Sequence, residues 1–307
     1  MRSLTPWREI IVDERGHALR LDAYLALVLK GVSRRRAQAI IEAGEITVNG
    51  RRVRKGDPLR AGDAVAVWSQ PEIGPWQPRP DPAIAVAVVR EEPSFLAVEK
   101  PSGIPSVPLE PGELGTLAGA VAARYPECAP LGRSPGDGGL LQRLDRGTSG
   151  LVLVARTGAA FDRLFAAQRR GEIEKTYTAL VPARGLPLPE RIDAPLTGAG
   201  RGRGATAVGP GGNPATTFVR SVTRLGAFAL VEAAIHLGAR HQIRAHLAHV
   251  GAPIAGDVRY GGPEIDGLGR LFLHASRVRA PHPDDGSELC VESPLPEELQ
   301  RALAALG

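Results

Sequence analysis

Residues 142–155 read Gln-Arg-Leu-Asp-Arg-Gly-Thr-Ser-Gly-Leu-Val-Leu-Val-Ala. The first nine form a charged, glycine-bearing loop, and the apolar run that follows reads as a buried strand. Asp145 thus sits between Arg143 and Arg146 on a short loop that a strand holds in place. A carboxylate with cationic neighbours on a rigid support has the setting of a positioned nucleophile or general base. A solvated charged turn uses the same residue types, so the reading turns on what the rest of the chain supplies beside it.

Working outward, residues 84–89 and 95–98 read as strands before the loop and residues 114–124 as a helix. Residues 150–156 are an apolar strand. Residues 159–170 form an amphipathic helix, with Phe161, Leu164 and Phe165 on one stripe and Gly171 past its end. Residues 176–181 return as a strand, 216–223 and 227–237 as a strand pair, 241–250 as a helix stopped by Gly251, and 271–278 as a further strand. Short strands with interspersed helices predict an α+β catalytic domain over residues 84–307, a mostly antiparallel mixed sheet with flanking helices. There is no internal repeat and no Gly-rich nucleotide fingerprint.

The first quarter of the chain differs. Residues 1–70 carry 13 Lys and Arg against 8 Asp and Glu, and residues 71–307 carry 25 of each, so the net charge of +5 lies wholly in the first 70. Confined positive charge is the footprint of a polyanion-binding surface whose affinity falls steeply with salt. Residues 19–30 have helical spacing, with Leu21, Leu25 and Val28 on one stripe and Gly31 closing it. Ser33 is a fitting N-cap for a helix over residues 34–42, ended by Gly44. That helix opens on Arg34, Arg35 and Arg36, the wrong sign for its dipole, which predicts an anion such as a phosphate backbone there. Ile46-Thr47-Val48, an Asn49-Gly50 turn, the cations Arg51, Arg52, Arg54 and Lys55, and a strand over 64–68 complete a small α/β module, residues 1–70. Proline-rich residues 71–83 read as a stiff linker.

The 307 residues, 43% of them apolar, suffice for a large domain plus a small one. No apolar run is long enough to span a membrane, and residues 1–17 lack the apolar block of a secretory signal. Cys128 and Cys290 are far apart and in no metal-ligand spacing. The expectation is a reduced, cytoplasmic monomer that uses no cofactor and no metal. Of the 38 basic residues 34 are Arg, and Lys survives only at 30, 55, 100 and 175. Where Lys persists in such a chain, the position calls for an ammonium rather than a guanidinium.

Two sets of motifs carry family resemblances. Arg20-Leu21-Asp22, Ser33-Arg34-Arg35-Arg36-Ala37, Ile46-Thr47-Val48-Asn49-Gly50 and residues 59–63 resemble the RNA-binding module named after the fourth protein of the small ribosomal subunit. The second set starts with Glu99-Lys100-Pro101-Ser102-Gly103, residues 142–150 and Glu174-Lys175-Thr176-Tyr177-Thr178-Ala179-Leu180-Val181. It continues with His241-Gln242-Ile243-Arg244-Ala245-His246-Leu247, residues 251–261 and Leu273-His274-Ala275. In order and spacing these resemble the RluA-like pseudouridine synthases, which modify large-subunit ribosomal RNA and some transfer RNA.

The resemblance implies that a uridine within RNA is isomerised: the glycosidic bond breaks, the uracil turns and is rejoined through its carbon 5. Asp145 matches the catalytic aspartate, which attacks the sugar or removes a sugar proton. Arg244 matches the guanidinium that keeps that carboxylate charged. Tyr177 matches the aromatic residue that packs on the base. Arg143 matches the residue that fills the space left by the extruded base. Lys175, His241, Gln242 and Leu273 are expected around the substrate, and Arg34, Arg35, Arg36, Arg51, Arg52, Arg54 and Lys55 on the RNA. The chain departs from the family in two places. Gln142 stands where His is usual, and Leu237-Gly238-Ala239 replaces Thr-Gly-Arg, with Arg240 one place later. These departures bear on backbone grip and target choice.

Other readings use the same residues. A non-catalytic ribosome assembly factor would need the basic first quarter but has no use for Asp145, Tyr177 and Arg244 together. A glycosidase would pair Asp145 with Asp257, which falls in a Gly-Asp turn. His236, His241, His246 and His249 crowd together, yet only His246 and His249 share a helix face, and no metalloprotease motif accompanies them.

Overall fold

The computed structural model describes residues 5–29, 32, 34–69, 76–197 and 206–306, with Arg35 described in its backbone alone. Lys30, Gly31 and the expected cap Ser33 lie outside the described residues. The chain divides into two compact units, Met1–Trp76 and Gln77–Gly307.

In the first unit, strands β1 (Arg8–Ile11), β2 (Ile46–Val48), β3 (Arg51–Arg52) and β4 (Ala64–Val67) form an antiparallel sheet in the order β1-β4-β2-β3. Helices α1 (Leu21–Val28) and α2 (Arg34–Glu42) share its core, where Leu21, Leu25, Ile40, Ile41, Val65 and Val67 are buried together. Asn49 and Gly50 link Val48 to its cross-strand partner Arg51 with φ of 49° and 74°, the two positive angles of a type I′ turn. The Ala64 N–H donates to Asn49 Oδ1 at 2.9 Å, tying the turn to β4.

One anion at the start of α2 is the protein's own. Arg34 donates to the wholly buried Asp22 at 3.3 Å, alongside Arg20 at 3.0 Å and Gln38 at 2.6 Å. Burial alone would push the Asp22 carboxyl upward, and these donors bring it below the ordinary carboxylate value.

The second unit contains β5 (Ala87–Glu91), β6 (Phe95–Lys100), β7 (Ser149–Ala155), β8 (Glu174–Pro182), β9 (Arg191–Asp193), β10 (Leu196–Thr197), β11 (Ala207–Val208), β12 (Thr216–Leu225), β13 (Phe228–Ile235), β14 (Leu273–Pro281) and β15 (Glu288–Glu292). Nine of these make one mixed sheet in the order β5-β6-β7-β14-β8-β13-β12-β9, with β15 beside the end of β14, and β10 and β11 pair separately. All neighbours are antiparallel except β7 and β14. That parallel contact needs Gly150, whose φ is +116° and where a Cβ would lie 2.3 Å from the Ala275 carbonyl oxygen.

Every residue of β7 is buried, Val152 and Val154 in one apolar cluster and Leu151 and Leu153 in another on the opposite face. Two covered faces explain why the run is continuously apolar rather than alternating. Helix α4 (Gly158–Arg170) covers one face. It starts at Thr157, which accepts the Ala160 N–H at 3.1 Å, and ends at Gly171 with φ 75°. Helices α3 (Leu117–Arg124), α5 (Gln242–His249) and α6 (Glu297–Ala304) contribute to the other cluster. Helix α3 is shorter than its pattern predicts because Gly115 has φ 81° and Thr116, the next residue, caps the helix by accepting the Gly119 N–H at 3.0 Å.

Residues 77–83, read from sequence as linker, pack into this second unit. The Asp81 N–H donates to Gly119 O at 2.9 Å, and its carboxylate accepts the Gly115 N–H at 2.8 Å. Prolines limit the conformations of this stretch, and Asp81 then fixes one of them.

Candidate active site

Strand register builds the wall of a small cleft. Tyr177 on β8 lies opposite Ala233 on β13 and Ala275 on β14, Lys175 opposite Ile235, and Ala179 opposite Leu273. Directly paired residues share a face and alternate residues return to it. Tyr177, Ile235 and Leu273 therefore line one surface, and they are the apolar lining of the cleft. Burial and the nearby Asp145 both push the Tyr177 phenol upward, so it stays neutral.

The loop carrying Asp145 is fixed from behind by Glu99-Lys100-Pro101-Ser102-Gly103. The Gly103 N–H donates to Arg146 O at 2.8 Å, and Arg146 Nε returns a bond to Gly103 O at 2.7 Å. Ser102 Oγ donates to Gly147 O at 3.0 Å, and the Leu144 N–H donates to Ser106 Oγ at 2.9 Å. Buried Lys100 donates to Pro101 O and Ile104 O at 2.8 Å and to Arg146 O at 3.3 Å. Burial, with Arg270 and Arg146 nearby, brings its pKa down to about 7, while three carbonyl acceptors favour its charged form.

Helix α5 brings Arg244 to that loop across 99 residues of sequence. Arg244 Nη1 donates to Asp145 Oδ2 at 2.7 Å. Its other edge is taken by Asp257, with Nε to Oδ2 at 2.6 Å and Nη2 to Oδ1 at 2.8 Å, a bidentate pair. The Arg244 side chain is 10% exposed, Asp257 2% and Asp145 25%, so one carboxylate is sealed inside and the other reaches the cleft. Burial works against the guanidinium's charge, and the two carboxylates more than restore it. Tyr260 adds its ring, centred 5.1 Å from the guanidinium carbon.

The expected substrate residues divide by environment. Arg143, exposed at the mouth, lines the cleft with no protein partner among the described residues. His241, before α5, stands with Nε2 3.7 Å from Asp145 Oδ1. Gln242 also lines the cleft, but its amide is occupied. Oε1 accepts the Ala239 N–H at 3.0 Å, and Nε2 donates to Thr216 O at 2.8 Å and Thr217 Oγ1 at 3.3 Å. Lys175 is buried on the Tyr177 face beside Gly238, and burial lowers its pKa to about 8. In the first unit Arg51, Arg52 and Arg54 are exposed, Lys55 pairs with Glu42 at 2.7 Å, and Arg36 is half-buried.

Asp257, weighed from sequence as a second glycosidase carboxylate, faces the guanidinium rather than the cleft. The histidines do not converge either. His246 is buried between Thr217 Oγ1 at 2.9 Å and Ala194 O at 3.0 Å, and His236 lies against Gly171 O at 2.8 Å. Among the described residues no three His, Cys, Asp or Glu side chains gather in a metal-binding arrangement.

The site sets a guanidinium-held carboxylate beside an aromatic wall, and similarity to known proteins specifies the class. A family described as RNA pseudouridylate synthase matches residues 94–249, and the S4 domain matches residues 19–65. The chain is 37% identical over 305 residues to an uncharacterized RNA pseudouridine synthase of Chloroflexus aurantiacus, covering 97% of this chain and 93% of that protein. It is 32% identical over 326 residues to the ribosomal large subunit pseudouridine synthase C of Escherichia coli strain K12, covering 100% and 99%. The fold is shared with the solved human RNA pseudouridylate synthase domain containing 4, with a TM-score of 0.55 at 20% identity over 72% of this chain and 92% of that one. The chain belongs to the RNA pseudouridylate synthase family, isomerases that convert uridine in RNA to pseudouridine.

Proposed function

We propose that this enzyme isomerises uridines of large-subunit ribosomal RNA, with Asp145 as its catalytic carboxylate. The observation that carries the reading is the 2.7 Å pair between Asp145 and Arg244, backed by Asp257, at the foot of an aromatic-walled cleft. Relatives named for the ribosomal large subunit, aligned over nearly the whole chain, support that choice of RNA.

The reaction has no net redox change. The bond between C1′ and N1 breaks, the uracil turns on the face of Tyr177, C5 bonds to C1′, and the C5 proton is lost while N1 gains one. Asp145 acts at the sugar, at C1′ as nucleophile or at C2′ as base. Arg244 holds its second oxygen so that Oδ1 is free for this work. Arg143 occupies the stack from which the base is drawn, offsetting an unstacking cost of a few kcal/mol. Leu273 and Ile235 keep water from the turning ring, and Lys175 and Gln242 hold the wall and the loop around it. Arg51, Arg52, Arg54 and Lys55 meet phosphates, and transfer RNA is the second candidate substrate. The protein works as a cytoplasmic monomer without metal. Among the described residues no helix is long and apolar enough to cross a membrane.

The test is incubation with large-subunit rRNA transcripts, followed by chemical mapping of pseudouridine. Wild type yields product at discrete uridines, and Asp145→Asn yields product more slowly by on the order of 10³-fold. Equal product from both overturns the assignment of Asp145.

A further inference from the structure

The hydrogens around His241 can be placed from its neighbours. The Tyr260 hydroxyl lies 2.9 Å from Thr206 O, a carbonyl that can only accept, so its one proton points there. Towards His241 Nδ1, 3.1 Å away, Tyr260 is therefore the acceptor and Nδ1 carries the hydrogen. In the neutral ring this leaves Nε2 bare. Burial moves the ring's pKa down, Asp145 pulls it up, and Arg244, Arg240 and Arg259 push it down again, for a net fall that keeps the ring neutral at pH 7.

Nε2 faces Asp145 Oδ1, the oxygen that Arg244 leaves unused, and among the described residues no donor lies between them. Two acceptors 3.7 Å apart repel unless a hydrogen is supplied from outside. His241 is also held at φ 55°, a conformation that a non-glycine residue adopts rarely and that persists where surrounding contacts impose it.

We propose that His241 Nε2 and Asp145 Oδ1 form a two-acceptor clamp that shares, in a three-centre bond, the single hydrogen of one substrate hydroxyl, the ribose 2′-hydroxyl of the uridine being isomerised. The inference rests on Asp145 acting at that sugar. A group working at C1′ or at the C2′ hydrogen has O2′ as its nearest substrate donor, whereas uracil N3–H lies across the ring from the bond that breaks. Because the base must detach and turn, contacts to it cannot hold the substrate through the step. A contact to the sugar can. The 2′-hydroxyl is also the group by which a protein tells RNA from DNA, which makes His241 the residue that demands a ribose.

Two measurements test the clamp. Nitrogen-15 NMR of the free enzyme at pH 7, with His241 assigned by its loss in His241→Gln, should give a protonated Nδ1 and an unprotonated Nε2. The opposite tautomer overturns the clamp, and this arm needs no RNA. The second arm uses a stem-loop RNA containing the uridine that the enzyme modifies, compared with the same RNA carrying 2′-deoxyuridine at that one position. Wild type should bind the ribose form about tenfold tighter, the weight of one hydrogen bond to a well-placed acceptor. His241→Phe keeps a flat ring without an acceptor, leaves Asp145 Oδ1 as the one remaining partner, and should cut the tenfold preference to about threefold. A folded His241→Phe enzyme that still discriminates tenfold overturns the clamp while leaving Asp145 in place. Product formation by Asp145→Asn at the wild-type rate overturns the catalytic reading instead. Should His241→Phe fail to fold, the tautomer decides alone.

Discussion

Asp22 in the small unit and Asp257 in the large one are both buried aspartates that hold arginines, in opposite proportion. Asp22 gathers two guanidiniums, Arg20 and Arg34, whose side chains are 37% and 45% exposed. The surplus charge is positive and turned to solvent. Around Arg244 one guanidinium is divided between two carboxylates, and the surplus is a negative charge turned into the cleft. The same pair of residue types thus leaves a surplus cation at the surface in one place and a surplus carboxylate in a cleft in the other. Which group is in excess, and which is buried, decides the use.

The strongest way to break this comparison is to remove the surplus in the cleft. Asp145→Asn keeps the shape, and we expect single-turnover pseudouridine formation to fall on the order of 10³-fold, with RNA affinity nearly unchanged. A comparable loss of affinity would mean that the carboxylate serves binding. Next comes the sealed partner. Asp257→Ala leaves Arg244 buried with one carboxylate, and denaturant unfolding of the large unit should show a loss of about 3–5 kcal/mol. A loss well below 1 kcal/mol would show that Asp145 alone satisfies the guanidinium.

Much of the site was legible because its parts lie in compact motifs. The pairing of Asp145 with Arg244, and Tyr177 at the cleft wall, were implied by the resemblance to the pseudouridine synthases that these segments carry. Asp257 was legible only as a turn, since nothing in Gly256-Asp257 states that its side chain points back at α5. The anion at α2 was expected to be phosphate because Asp22 lies twelve residues from Arg34, and only the packing of α1 on α2 brings them together. Strands β3, β10 and β11 have two residues each, too few to show a period. Strand β15 and helix α6 did carry signals, alternation at Leu289 and Val291 and Glu297-Glu298 after Pro296, and were not assigned from them.

A smaller effect is expected in the first unit. Its arginines can turn to water, so Asp22→Ala should cost only about 1–2 kcal/mol. The folded Asp22 pKa is lowered, so its contribution is complete above the unfolded value of about 4 and is lost as pH falls through the folded one. Thermal unfolding of wild type should therefore drop below pH 4, and Asp22→Ala should lose this component. An identical acid profile for both proteins would remove Asp22 from the account. The smallest effect concerns one exposed cation. Arg51→Gln should weaken RNA binding a few-fold and reduce the slope of log K against log salt by about one. An unchanged slope would place the RNA elsewhere on the module.

A chain that has exchanged nearly all its lysines for arginine holds a record of where that exchange is refused. Lys55 is exposed and could have gone either way, but Lys100 and Lys175 are buried almost completely. Three carbonyl oxygens accept from the one Lys100 ammonium, whose three rotatable donors suit them better than a flat, forked guanidinium would. In a chain this rich in arginine, Lys100 and Lys175 mark two interior positions that stand out in the sequence itself.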